Sequence, residues 1–183
     1  MFYPIMDRSA SNSRLFLAAI PDAVTAARIH RLAGVLKRTH RFSGKLIEPD
    51  RLHISLFFLG GLPDHIVGAA CEAVAGVRMQ PFDVSFNRSV SFLGNAGGRP
   101  FVLMGGEEPC PLKSFRQMLG AALTRKGLRR RANTNFIPHI TILYDPRSVE
   151  EHPIEPISWN LKEVVLIHSM NGHTHLARLP LRM

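Results

Sequence analysis

The chain has 183 residues, of which 45% are hydrophobic and 20% are charged, so it is long enough to bury a core as one compact domain or two small lobes. This composition excludes disorder over most of the length, and two cysteines are too few for a disulfide framework. A formal charge of +9 favours phosphate-rich partners, without separating nucleic acid from an acidic membrane surface.

The N-terminal segment 1–13 carries Asp7, Arg8 and a cluster of serine and asparagine. A basic start followed by a long apolar run would indicate a signal peptide or a membrane span, and this segment has neither. We therefore expect a flexible leader, no membrane association and a cytoplasmic location. Because no linker is long enough to divide the rest, we expect one domain over 14–183.

The rest of the chain carries both strand and helix patterns. An apolar run at 14–20 predicts a buried strand, and residues 22–38 predict a helix. Apolar residues at helical spacing predict a second helix after Pro63 and a third at 112–123, which Gly127 ends. Alternating or short apolar runs predict strands at 82–86, 100–105, 138–144, 162–168 and 174–180.

Two glycine-containing segments lie between predicted strands. The segment 93–99 could bind phosphate if a helix followed it, but the next run is a strand, so we expect a hairpin loop. Asn171-Gly172 is typical of a two-residue hairpin turn. Because the order of elements is mixed and hairpins are frequent, the sequence predicts an α+β fold with antiparallel sheet.

Two short segments share one pattern of histidine, apolar residue, hydroxyl and apolar residue: Leu52-His53-Ile54-Ser55-Leu56 and Pro138-His139-Ile140-Thr141-Ile142. In a strand, residues i and i+2 share a face, so each histidine projects with its hydroxyl while the apolar neighbours enter the core. The two histidines stand almost half of the chain apart. This duplication predicts two lobes of similar construction, each supplying one strand to a shared groove.

A single His-x-Ser/Thr pattern is weak, but two strand-embedded copies are specific. Together with the segments 14–18, 52–60, 81–82 and 136–142, which stand in the same order, they make the sequence resemble the 2H phosphoesterase superfamily. Within it the chain is similar to the RNA 2′,3′-cyclic phosphodiesterases, also known as 2′-5′ RNA ligases. Ser55 stands where many members have threonine, and Tyr144-Asp145 occupies the region where many close members carry arginine.

The resemblance implies a bilobal fold, with two pseudo-symmetric lobes of antiparallel sheet, helices outside and a central active-site groove. It also implies hydrolysis of a terminal 2′,3′-cyclic phosphate to a 2′-phosphate. His53 and His139 are then the catalytic acid and base, and Ser55 and Thr141 bind the substrate phosphate. No metal or cofactor is expected, because two imidazoles near neutral pKa can perform both proton transfers. The implied partner is RNA or a nucleotide with a cyclic phosphate, bound by a monomer.

Two other functions remain open at this stage. The same site joins RNA ends in a 2′-5′ ligase, in which an RNA 5′-hydroxyl replaces water. A non-catalytic RNA-binding module would be expected to lack a histidine or hydroxyl of the two motifs, and all four are present.

Several other residues permit alternative interpretations. His168, His173 and His175 form a conceivable metal site, although no carboxylate or cysteine completes the set. The basic run at 125–131 is more simply a solvated helix end than an RNA contact. Tyr144 or Phe58 could stack on a base, with buried packing the default for Phe58.

Overall fold

The computed structural model describes residues 14–61, 64–94, 98–105, 110–128, 135–170 and 172–182. The elements follow in the order β1 (Arg14–Ala19), α1 (Ala23–Thr39), a short 3₁₀ turn (Pro49–Arg51), β2 (Ile54–Gly60), α2 (Asp64–Ala75), β3 (Phe82–Ser91), β4 (Arg99–Gly105), α3 (Pro111–Arg125), β5 (His139–Asp145), β6 (His152–Leu161), β7 (Glu163–Ser169) and β8 (His173–Pro180). The predicted leader, 1–13, lies outside the described residues.

Two four-stranded antiparallel sheets form the two lobes, which confirms the expected α+β fold. The first sheet has the order β2-β1-β7-β8 and the second has the order β5-β4-β3-β6. The motif-bearing strands β2 and β5 are therefore both edge strands. No helix in the described part of the chain is long and apolar enough to cross a membrane.

Successive side chains of β1 point to opposite faces of the first sheet, and both faces are apolar. Leu15 and Leu17 are fully buried in the main core, which the two sheets and the helices share. Phe16 and Ala18 point to the opposite face, where they form a small apolar cluster with residues of β7. The first sheet therefore has a second apolar face, and the candidate site is built against it.

The helix ends agree with the sequence signals. Asp22 caps α1, because its carboxylate accepts hydrogen bonds from the Thr25 amide at 2.9 Å and the Thr25 hydroxyl at 2.8 Å. Gly127 ends α3 with a φ of 75°, a left-handed conformation that favours glycine. The amide of Leu128 then returns to the carbonyl of Leu123 at 3.0 Å.

Strand β6 was not predicted from the sequence. Pro153 and Pro156 lie in this strand and are unfavourable in the centre of a sheet, because proline has no amide hydrogen. The structure tolerates them because β6 is the edge strand of the second sheet. The two expected hairpins, β3–β4 and β7–β8, are antiparallel pairs, although residues 95–97 and Asn171 of their turns lie outside the described residues.

Candidate functional site

The two motifs occupy matching places in the two lobes. His53 immediately precedes β2, and His139 is the first residue of β5. The apolar neighbours of both histidines are buried, with Ile54 and Ile140 completely inaccessible. The edge strands β2 and β5 contact each other. The expected duplication in two lobes is thus present in the fold, and it brings the two motif strands together.

Both histidine rings are oriented by the same kind of hydrogen bond. Nδ1 of His53 lies 2.7 Å from the carbonyl of Arg51, and Nδ1 of His139 lies 2.8 Å from the carbonyl of Ile137. A carbonyl only accepts, so in each ring Nδ1 carries the hydrogen. Nε2 is therefore the nitrogen of each neutral ring that can accept a proton, and it donates when the ring is charged.

Each histidine also packs against a phenylalanine. The ring of His53 lies 5.1 Å from that of Phe16, and the ring of His139 lies 5.0 Å from that of Phe92 in an edge-on contact. Burial lowers the pKa of both histidines, and the hydrogen bonds to the two carbonyls partly offset this effect. Positive charge on His139 lowers the pKa of His53 further, so His139 lies close enough to affect the protonation of His53.

A cleft of about 310 Å³, here called the histidine cleft, opens between the motif strands. His139 and Ser55 line it together with Phe92, so one residue from each motif faces the same space. Neither His53 nor Thr141 is among the described lining residues, although Thr141 is half-buried on the same face of β5 as His139. The cleft therefore combines an imidazole, a hydroxyl and apolar walls.

Arg116 of α3 also lines the histidine cleft, and it is the one lysine or arginine among the described lining residues. Its guanidinium lies over two aromatic rings, 4.6 Å from the centroid of Phe57 and 4.4 Å from that of Phe136. Its Nε donates to the carbonyl of Leu56 at 3.0 Å. Arg116 was not predicted from the sequence, since an amphipathic helix position well ahead of the second motif gives no signal of this role.

The residues that replace the expected arginine after the second motif have a different role. Asp145 is buried and its carboxylate accepts from the amides of Ser43 and Gly44 at 2.6 and 2.8 Å. It also accepts from the amide of Arg147 at 2.9 Å. Tyr144 is exposed. Asp145 thus ties the loop after α1 to the end of β5.

The three C-terminal histidines do not gather into a metal site. Along the β7–β8 pair, His168 is opposite Thr174 while His173 is opposite Ser169, so His168 and His173 face opposite sides of the sheet. Among the described residues no group of three His, Cys, Asp or Glu side chains could hold a metal ion.

His173 instead packs against His53. Its ring contacts His53 at 5.1 Å and Phe16 at 5.6 Å, both edge-on. Burial, followed by charge on His53, lowers the pKa of His173 to about 4. At neutral pH the ring of His173 is therefore uncharged where it packs against His53.

The structure also places Phe58 and the first two residues of the basic run. Phe58 is 37% exposed, so the default of buried packing is wrong: the irregular β1–β2 register turns this ring out of the core. In the basic run, Arg125 is exposed and Lys126 forms an ion pair with Glu72 at 2.6 Å. Residues 129–131 lie outside the described residues.

Comparisons with known proteins show which family the chain belongs to. The model of the 2′-5′ RNA ligase superfamily matches residues 20–173. An RNA 2′,3′-cyclic phosphodiesterase from Archaeoglobus fulgidus is 30% identical over 131 residues, which are 70% of this chain and 70% of that protein.

Solved structures show the same fold over nearly the whole chain. Escherichia coli LigT complexed with 3′-AMP has a TM-score of 0.74 at 25% identity, covering 93% of this chain and 99% of LigT. The protein TT0787 of Thermus thermophilus has a TM-score of 0.71 at 19% identity, covering 92% and 98% of the two chains. The chain belongs to the 2′-5′ RNA ligase superfamily, whose members are 2H phosphoesterases.

Proposed function

We propose that this protein hydrolyses a terminal 2′,3′-cyclic phosphate of RNA to a 2′-phosphate, using His53 and His139 and no metal ion. The observation that carries the proposal is the matched orientation of the two rings, each with Nδ1 fixed by a carbonyl two residues earlier in the chain. Such a pair can take one proton and give another on either side of a reacting phosphorus.

The reaction needs two proton transfers and one in-line displacement. Nε2 of His139 takes a proton from water as the water oxygen bonds to phosphorus. The bond from phosphorus to the 3′ oxygen breaks, and Nε2 of His53 protonates that oxygen. A 2′-phosphate and a free 3′-hydroxyl remain. The assignment of His139 as base and His53 as acid follows the family resemblance.

Charge develops on the phosphoryl oxygens during this displacement, and positioned donors would stabilise it. Ser55 lines the histidine cleft beside His139, and Arg116 contributes a cation to the same walls. We include Thr141 because it shares the face of β5 with His139. These groups can stabilise the charge without a metal, which is why we propose a metal-independent reaction.

The relatives support a nucleotide substrate. The relative from Archaeoglobus fulgidus is named an RNA 2′,3′-cyclic phosphodiesterase, and LigT binds 3′-AMP, a nucleotide with a phosphate on its ribose. The family's description as 2′-5′ RNA ligases favours a second activity at the same site. There an RNA 5′-hydroxyl would replace water, attack the cyclic phosphate and form a 2′-5′ linkage.

Alanine substitutions test the proposal on a short RNA that ends in a 2′,3′-cyclic phosphate. We expect His53→Ala and His139→Ala each to lower the hydrolysis rate by about 10²–10⁴-fold, because each removes a general acid or base. Ser55→Ala and Thr141→Ala should each lower the hydrolysis rate by a smaller factor.

His65→Ala, an exposed histidine on α2, is the matched control and should retain the wild-type rate. Circular dichroism would verify that each variant is folded. A near-normal rate in either folded motif-histidine variant would place the chemistry elsewhere.

A further inference from the structure

A second, larger cavity adjoins the histidine cleft. It has a volume of about 710 Å³, within the range of about 300–1,000 Å³ that is usual for ligand pockets. Helix α3 forms one wall and strand β2 another, and we call this cavity the α3 chamber. Four residues, Arg116, Asn135, Phe136 and Ile137, line both the chamber and the histidine cleft. The two spaces are therefore adjacent, with these four residues as a common wall.

The walls of the α3 chamber combine aromatic rings and positive charge. Phe58 is partly exposed and lines the chamber, as does Phe136, whose ring lies against Arg116. Lys113 adds a second cation to the α3 wall. Helix α3 contains no acidic residue, so its surface is uniformly neutral or basic. Aromatic faces next to cations are the combination that binds single-stranded nucleic acid through stacking and phosphate contacts.

The direction of an RNA chain predicts which nucleotide would reach the space next to the histidine cleft. A 2′,3′-cyclic phosphate stands at the 3′ end, so the polymer leaves the reacting group through the 5′ oxygen of the terminal nucleotide. A bound RNA must therefore pass from the histidine cleft into a neighbouring surface that accepts both a phosphate and a base. The α3 chamber adjoins the histidine cleft along the shared wall, so it offers such a surface.

We propose that the α3 chamber binds the nucleotide preceding the terminal one, so that the protein prefers an RNA chain over a mononucleotide. This inference rests on the proposed function for its direction, and it adds a subsite that the two motifs do not contain. The base stacks on the exposed aromatic surface, and the phosphate between the two nucleotides lies near the cations of α3. A peptide bound in the α3 chamber, in contrast to an RNA chain, would not require a terminal phosphate in the histidine cleft.

The test blocks the chamber from its helical wall. Gln117 and Ala121 lie one turn apart on α3, are exposed and line the chamber, so Gln117→Trp and Ala121→Trp each place an indole in it. Ser114→Trp is the matched control, since Ser114 lies on the same helix and is not a described lining residue. The probes are a fluorescein-labelled trinucleotide with a 2′-phosphate, followed by anisotropy, and adenosine 2′-phosphate as its competitor.

We expect the wild-type protein and Ser114→Trp to bind the trinucleotide at least about fivefold more tightly than the mononucleotide, as one stacked base would provide. The Gln117→Trp and Ala121→Trp variants should lose this preference, with unchanged mononucleotide affinity and unchanged turnover of 2′,3′-cyclic AMP. If both variants retain the preference, or if Ser114→Trp loses it equally, the subsite is wrong. If the wild type turns over no cyclic phosphate but the binding pattern holds, the proposed function fails and the subsite stands.

Discussion

Removing the Asp145 carboxylate should destabilise the fold by an amount that follows from its hydrogen bonds. Its oxygens accept from three backbone amides, those of Ser43, Gly44 and Arg147, and from the Ser43 hydroxyl. Each amide left without a partner costs about 1–3 kcal/mol. Because Ser43 and Arg147 are exposed and water can reach them, the low end applies. We therefore expect Asp145→Ala to lower the free energy of unfolding by about 3 kcal/mol.

The geometry around Gly44 explains why the loop cannot easily adjust. A Cβ atom at Gly44 would lie 1.9 Å from the carbonyl oxygen of Tyr144, so the loop passes directly against the end of β5. Asp145→Asn keeps the shape and one acceptor oxygen, and we expect a smaller loss from it. Glu150→Ala, a carboxylate removed from the same region, should change stability by no more than about 0.5 kcal/mol.

Urea denaturation measures these differences by linear extrapolation. Burial raises the pKa of Asp145, but hydrogen bonds from Arg147, Gly44 and Ser43 outweigh it and hold the pKa below its usual 3.8. The stabilisation is therefore present above about pH 4 and is lost as the pH falls further. The free energy of unfolding of Asp145→Ala should lack this part of the decrease at low pH. A loss below about 1 kcal/mol at pH 7 would refute the hydrogen-bond argument.

Two further predictions concern histidines outside the motifs. Nε2 of His40 lies 3.3 Å from Nε2 of His152, and burial followed by charge on His152 lowers the pKa of His40 below 6.5. Stability from this contact is therefore present above about pH 6.5 and falls below it, and His40→Leu should flatten urea stability between about pH 5 and 7.5. His173→Lys would place a permanent charge near His53 and should move one limb of the pH–rate profile down by about one unit. His173→Phe keeps the ring contact without adding a charge, so this limb of the pH–rate profile should stay at its wild-type pH. Identical profiles for His173→Lys and His173→Phe would contradict the effect of charge at this position on His53.

The sequence predicted the parts of the fold and site that depend on local pattern. The two His-x-hydroxyl segments could be placed in strands because Ile54 and Ile140 alternate with polar neighbours, and both are buried as expected. Gly127 marked the end of α3 because a left-handed residue is needed there. The duplication of the motif predicted two lobes around a shared groove, and the resemblance to a known family added their construction from antiparallel sheets with helices outside.

The remaining features arise from contacts between distant parts of the chain. Arg116 reaches the histidine cleft only because α3 packs beside β2. His173 reaches His53 because both rings pack against Phe16 of β1. Strand β6 was missed because Pro153 and Pro156 weaken its local signal, although an edge position accepts them. Phe58 was assigned to the core because a β-bulge that turns a side chain outward leaves no mark in the sequence.

The central claim is that two histidines open a cyclic phosphate without a metal ion. Mass and phosphorus NMR analysis of the products from a short RNA ending in a 2′,3′-cyclic phosphate, incubated with the protein in excess chelator, tests it most directly. We predict a 2′-phosphate product, formed at the same rate with and without chelator, and a bell-shaped pH dependence, because one imidazole must be neutral while the other is charged. A 3′-phosphate product, or turnover that chelator abolishes and a divalent ion restores, would contradict it.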